Sequence, residues 1–308
     1  MGDGLNSVRA AAAADSLNPG SAPATSVTGA TVSAIAGALT STELLIFTIA
    51  RLLHGVRHVA VGASSPIPGA AALLTRAQSN GTTRVSVLGS RRHNAFTNGG
   101  VELFDLAAQG RIDAFFLGGG QIDGEANINL IGADGYPQSG VRWPGSFGSA
   151  YLYHLVPRVI LFREEHSRRV FVPKVDFISA AGPRDDGVYR PGGPHAMLTG
   201  LCLFSFDKAT RRFGLLSVHP GHTVEEVRDQ TGFDFDLPAA LPGAVAQGSA
   251  APTATSPAAS TVPVTPGPDA ATLALMRGKI LGEIGETYPN FAQTWRTALT
   301  GQGVPAAQ

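Results

Sequence analysis

The residues best placed to do chemistry stand at the end of a short apolar run. Residues 112–117 are apolar except for Asp113, and Gly118-Gly119-Gly120-Gln121 follow directly. Glycines carry no side chain, so their backbone N–H groups can come close to a ligand and hold a carbonyl oxygen or an anion. A tight strand-to-loop turn with no ligand uses the same residues, and the triplet alone does not decide between the two. Glu125 and Asn127 add polar groups to the same loop. A second glycine-rich loop, 144–149, carries Ser146 and Gly148 ahead of a predicted helix. A helix start offers free N–H groups and a positive dipole to an anion, or it simply needs a cap. Ser90 has a hydroxyl with no obvious base beside it, although His93 lies three residues on. His219 and His222 flank a Pro-Gly turn, but no pair of histidines has a metal-site spacing, and no metal is expected. Nucleophile-elbow, Walker and dinucleotide-binding motifs are absent.

The elements that must position these groups alternate in type. Thr40 and Glu43 form a capping box that opens a predicted helix over 41–54. A strand at 56–61 follows, then the loop 62–69, whose Ser64 and Ser65 either line a pocket or form a polar turn. Helix 70–78, strand 84–88, loop 89–100, helix 101–109 and strand 112–117 complete this half. The alternation predicts an α/β fold: an open, twisted, mainly parallel sheet flanked by helices. Further on, a helix is expected at 150–155 and strands at 157–162 and 169–172. The run 196–206 is expected to pair with 212–218 as a hairpin, and Thr223 with Glu226 reads as a second capping box. Around this body, 40–237, residues 1–39 read as a disordered Ala/Ser/Gly-rich tail and 238–268 as a Pro/Ala-rich linker. Both are expected to be dispensable for folding. Residues 269–308 read as a helical segment interrupted near Tyr288-Pro289.

Composition narrows the partners. Lys+Arg and Asp+Glu are 23 each, so no global field draws the chain to nucleic acid or to an anionic membrane. Arg91-Arg92-His93 and Arg168-Arg169 read as solvated faces. No apolar stretch is long enough to span a bilayer, and the start of the chain does not read as a signal peptide. The single cysteine, Cys202, lies in an apolar run, reads as a core thiol, and suits the reducing cytoplasm.

The longer pattern around the glycines is more specific. Gly118-Gly119-Gly120-Gln121-Ile122-Asp123, continuing to Asn127-Ile128-Asn129, resembles the signature of the second (B) subunit of family I coenzyme A transferases, glutaconate CoA-transferase in particular. Val141-Arg142-Trp143-Pro144-Gly145-Ser146, the segment 169–179 and the segment 217–233 match in the same order. The resemblance implies a twisted open sheet, an acyl-CoA substrate with CoA as substrate moiety, no permanent cofactor, and a separate A subunit in a heterodimer or heterotetramer. It makes Gly118, Gly119 and Gly120 the loop that holds the oxyanion of the CoA ester, with Gln121 and Asn127 as polar supports. Ser146, Gly148, Ser90 and Glu125 are weaker site residues.

It also implies a glutamate that attacks the thioester, placed after the strand about 30 residues before the glycines. Here that position reads Leu88-Gly89-Ser90-Arg91, and no glutamate lies between Glu43 and Glu102. The catalytic carboxylate is therefore unassigned, and no CoA is expected to become attached to this chain. Three activities stay open: CoA transfer between carboxylic acids, hydrolytic C–C ring opening of a cyclic CoA ester as in a steroid-degradation relative, or a subunit that only scaffolds its partner.

Overall fold

The computed structural model describes residues 38–184, 187–238 and 262–300. In strand β1 (His58–Val61), Val59 and Val61 enter one apolar cluster while Ala60 enters another on the opposite face. Strand β3 (Ala114–Leu117) repeats the pattern, with Phe116 on the first face and Phe115 and Leu117 on the second. A strand covered on both faces needs apolar residues throughout, which is why these segments read as unbroken hydrophobic runs.

Helices α1 (Ser41–Leu52) and α2 (Pro66–Gln78) cover the first face, followed in chain order by β2 (Arg84–Val87). Helices α3 (Gly99–Ala108) and α4 (Ser149–Leu155) cover the second. Between β3 and α4 lie four short strands: β4 (Gln121–Ile122), β5 (Ile128–Asn129), β6 (Gly132–Ala133) and β7 (Val141–Arg142). The main sheet continues with β8 (Arg158–Arg163), β9 (Pro194–Thr199), β10 (Cys202–Asp207) and β11 (Arg212–Val218).

Its strand order is β11-β10-β9-β8-β3-β1-β2, parallel from β9 through to β2 and antiparallel at β10 and β11. Strand β1 lies between β2 and β3, so the chain crosses back over it after β2. That reversal creates a switch point at the carboxyl ends of β1 and β3, where open α/β sheets place their ligands.

The structure corrects four local expectations. The run 196–206 is not one strand: it breaks at Gly200, whose N–H donates to Glu164 O at 2.9 Å, and β9 folds back on β10. The expected strand at 169–172 forms only an isolated bridge, Phe171 to Ile122, which clamps the β4–β5 hairpin. The expected linker loses its last part: 262–265 runs along β11, with Thr265 N–H donating to Val218 O at 2.8 Å. The rest of it, 239–261, and nearly all of the expected tail lie outside the described residues.

The fourth concerns Thr223, which caps α5 (Val224–Gln230) by accepting from Glu226 N–H at 3.1 Å. Glu226 does not return the bond, because its carboxylate pairs with His222 at 2.9 Å.

The carboxyl-terminal segment docks on the body. It comprises α6 (Ala270–Leu275), a π-turn at Met276–Ile280, α7 (Leu281–Ile284) and α8 (Pro289–Thr300). Met276, Ile280, Ile284 and Trp295 are buried in the cluster shared with α1 and α2.

Neutral histidines are built into the second layer. His166 bridges Thr199 Oγ1 at 2.8 Å and Thr231 Oγ1 at 2.9 Å, and burial pushes its pKa down to about 4. His219, between Thr265 Oγ1 and Thr199 O, is lowered for the same reason. A group whose folded pKa is depressed binds its proton more readily in the unfolded chain. Stability is therefore expected to fall as pH drops from about 6.5 toward about 4, the window set by the ordinary histidine value and that of His166. Urea midpoints measured at intervals from pH 7.5 to pH 4.5 check this; a flat profile down to pH 5 contradicts it.

Candidate active site

The glycine loop is forced by its neighbours. The β3–β8 register pairs Leu117 with Leu161, and a Cβ on Gly118 would sit 3.0 Å from Phe162 O on the adjacent strand. At Gly119 a Cβ would lie 2.8 Å from both Gln121 O and Ile128 Cγ2. The Trp143 ring lies flat on Gly120, where a Cβ would stand 2.3 Å from it.

Behind the loop, polar groups fix one another. Gln121 Oε1 accepts from Asn129 Nδ2 at 2.8 Å and from Asp176 N–H at 3.0 Å, and its Nε2 donates to Asp176 Oδ2 at 3.0 Å. Asp123 accepts from Asn127 N–H at 3.0 Å and Asn127 Nδ2 at 3.1 Å, while Asn127 Oδ1 accepts from Gly182 N–H at 2.9 Å. All four side chains, Gln121, Asp123, Asn127 and Asn129, are buried. A network satisfied this fully is a rigid mount for the loop in front of it.

In front lies a cavity of about 650 Å³ at the switch point. Its floor is Gly118, Gly119 and Gly120, with Ser64 and Ser65 from the β1 loop on one side. Trp143 forms one wall, and Phe162, Arg163, Glu164, Glu165 and Arg169 at the end of β8 form the other. This volume suits the acyl end of a small-molecule ligand. The N-terminus of α2 also opens here, with Pro66 at its first turn.

Several residues singled out from sequence fall elsewhere. Gly120 is not free to hold an oxyanion, because its N–H donates to Asn129 O at 2.9 Å. Gln121 and Asn127 do not face the cavity floor; Asn127 and Glu125 line a separate cleft with Lys174, Arg184 and Phe233. Of the loop 144–149 only Pro144 lines the cavity; Gly148 packs against the Phe104 ring and Ser146 O accepts from Ser149 N–H at 2.8 Å, so neither Ser146 nor Gly148 reaches it.

Ser90 is buried and donates to Glu286 Oε2 at 2.7 Å, while Arg91 N–H donates to Oε1 at 2.8 Å. The turn that lacks a glutamate of its own thus receives one from the carboxyl-terminal segment. Cys202 is fully buried and pushed up to about 12 by desolvation, so it stays a thiol. His219 and His222 do not converge, since one bonds Thr265 and the other Glu226.

The cavity wall from β8 gave no motif to find. Glu165 accepts from Ser167 Oγ at 2.7 Å and from Arg169 Nε at 3.2 Å, which together with Arg163 hold it below the usual carboxylate range. Its neighbour Glu164, an exposed residue, has no hydrogen bond or ion pair to its carboxylate among the described residues, and partial desolvation raises its pKa against the pull of Arg163. Arg163 Nε is itself a buried donor without an acceptor. Two adjacent carboxylates whose pKa values are pushed in opposite directions thus stand beside that donor.

A glycine-floored crevice at the switch point of an open parallel sheet defines an α/β ligand-binding domain. The chain belongs to the coenzyme A transferase family, whose profile matches residues 29–230. It is 36% identical over 139 residues to the B subunit of 3-oxoadipate CoA-transferase from Pseudomonas knackmussii, covering 43% of this chain and 53% of that one. Over 150 residues it is 28% identical to the IpdB subunit of the cholesterol ring-cleaving hydrolase from Rhodococcus jostii, covering 43% and 53%. The chain therefore spans about half the length of the curated relatives it matches. Glutaconate coenzyme A-transferase from Acidaminococcus fermentans shares the fold, with a TM-score of 0.63 at 22% identity over 78% of this chain and 94% of that one.

Proposed function

We propose that this chain is the B-type subunit of an enzyme that transfers CoA between carboxylic acids, working with a separate A-type subunit in a heterodimer or heterotetramer. The observation that carries the reading is the cavity at the switch point, floored by Gly118 and Gly119 and held by the buried Gln121–Asn129 network. The thioester carbonyl of an acyl-CoA binds over that floor, and the CoA moiety is a substrate part rather than a resident cofactor. The enzyme works in the cytoplasm, which keeps its one cysteine reduced. No helix among the described residues is long and apolar enough to cross a membrane.

A second reading has an observation of its own. The turn after β2 offers Gly89 and Ser90 where a family glutamate is expected, and a ring-cleaving hydrolase subunit is among the relatives. That reading makes the chain part of a hydrolase that opens a CoA-linked cyclic diketone.

The test is to purify the tagged chain with the subunit that accompanies it in its own cells and assay both reactions. Labelled CoA moving from acetyl-, succinyl- or crotonyl-CoA to a free acid supports transfer. Water-dependent ring opening without exchange supports the second reading. Neither activity in an intact complex leaves the scaffolding role.

A further inference from the structure

We propose that Glu164 is the carboxylate nucleophile of this site, replacing the glutamate missing after β2 and reversing the expectation that no CoA becomes attached to this chain; the assignment rests on the CoA-transfer reading. Glu164 and Glu165 are the only carboxylates among the described residues lining the cavity, and they share its wall with Arg163 beside the glycine floor. Phe162, two residues before Glu164, lies against Gly118, so the end of β8 is next to the loop that receives the thioester. The backbone at Glu164 is fixed, its carbonyl accepting from Gly200 N–H at 2.9 Å. Among the described residues the carboxylate itself makes no hydrogen bond and feels only the charge of Arg163.

The other glutamates near the site are committed. Glu165 is held by Ser167, Arg169 and Arg163. Glu286 is held by Ser90 and Arg91 and does not line the cavity. Glu102 accepts from Thr97 and Asn98 at the start of α3. Glu125 belongs to the separate cleft. Hydrogen bonds to an ionised carboxylate stabilise it and reduce its basicity, and nucleophilicity follows basicity. Glu164 is the one whose surroundings act in the opposite sense, with its pKa raised.

The exchange needs no further reactant. A Glu164 carboxylate oxygen attacks the thioester carbonyl, the new C–O bond replaces the C–S bond, and CoA leaves as a thiolate. The thiolate attacks the Glu164 side-chain carbonyl of the resulting anhydride, the donor acid departs as a carboxylate, and Glu164 carries CoA as a thioester. An acceptor carboxylate then repeats the two steps in reverse and frees Glu164. The glycine floor, Gly118 and Gly119, faces the oxyanion formed in each attack.

The experiment is intact-mass analysis of this chain after the purified complex meets acetyl-, succinyl- or crotonyl-CoA. A CoA-sized, hydroxylamine-sensitive adduct is expected on the peptide bearing Glu164, and it should vanish in Glu164→Gln along with at least 10³-fold of the exchange rate. Because this carboxylate bonds nothing, Glu164→Gln should keep the thermal midpoint and the complex intact, and a wild-type circular dichroism spectrum checks that. An adduct on Glu286 or elsewhere, exchange with no adduct on this chain, or full exchange by Glu164→Gln overturns the assignment and leaves the CoA-transfer reading standing. A wild-type complex that neither exchanges CoA nor forms an adduct overturns both.

Discussion

Replacing Gly119 with alanine is expected to slow turnover by the assembled enzyme by about 10²–10³-fold, the usual consequence of misplacing an oxyanion donor. The added Cβ would stand 2.8 Å from Gln121 O on one side and from Ile128 Cγ2 on the other. Neither neighbour can yield. Gln121 is tied through its side chain to Asn129 and Asp176, and Ile128 N–H donates to Ala180 O at 2.9 Å. The loop must therefore shift outward, and catalytic geometry tolerates only about 0.5 Å. Overpacking of this kind costs roughly 1–3 kcal/mol, so the protein still folds. The measurement is kcat at saturating acyl-CoA on the purified complex, with the thermal midpoint recorded alongside. A variant that loses a few degrees of midpoint yet keeps kcat within threefold would show that Gly119 serves packing alone.

How much of this site was legible in the sequence depends on how local each part is. The glycine triplet alone did not separate a ligand loop from a tight turn; it became legible through the longer pattern from Gln121 to Asn129, while the apolar runs around it reported strands covered on both faces. The Thr40–Glu43 capping box was readable because both partners lie within one helical turn, and the structure has both bonds, at 3.2 Å and 3.0 Å.

The cavity wall was not readable. Arg163 and Glu164 reach the glycines only through the β3–β8 pairing, and periodicity reports that a strand is buried without naming its neighbour. Trp143 stands in a recognisable motif, yet its role as the ring lying on Gly120 needs two separate loops placed together. Glu286 meets Ser90 across 196 residues of sequence. The break within 196–206 was hidden for the same reason: Gly200 is tolerable inside an apolar run, and only its bond to Glu164 O marks it as a turn.

The largest effect on stability is expected from Arg277→Met. Arg277 Nε donates to Glu43 Oε1 at 2.6 Å and its Nη2 to Oε2 at 3.0 Å, joining the carboxyl-terminal segment to α1. The Glu43 side chain is fully buried and that of Arg277 only 10% exposed. Burial pushes the Glu43 carboxyl upward, but Arg277 and Thr40 outweigh it and the net direction is down, so the group is ionised. Removing the guanidinium leaves a buried carboxylate without a counter-charge, a change that typically costs about 3–5 kcal/mol. A surface pair would cost less than about 1 kcal/mol, so the two cases separate cleanly. Adding Glu43→Gln to Arg277→Met is expected to restore more than half of the loss. A glutamine carries no charge and still has an oxygen for Thr40 N–H, which bonds Glu43 Oε2 at 3.0 Å. Urea unfolding of the wild-type chain, Arg277→Met, Glu43→Gln and the double variant completes the cycle. A single Arg277→Met variant within about 1 kcal/mol of wild type, the range of a surface pair, would mean that the carboxyl-terminal helices are held by Ile280, Ile284 and Trp295 alone. In that case the ion pair sets only where α1 and the π-turn meet.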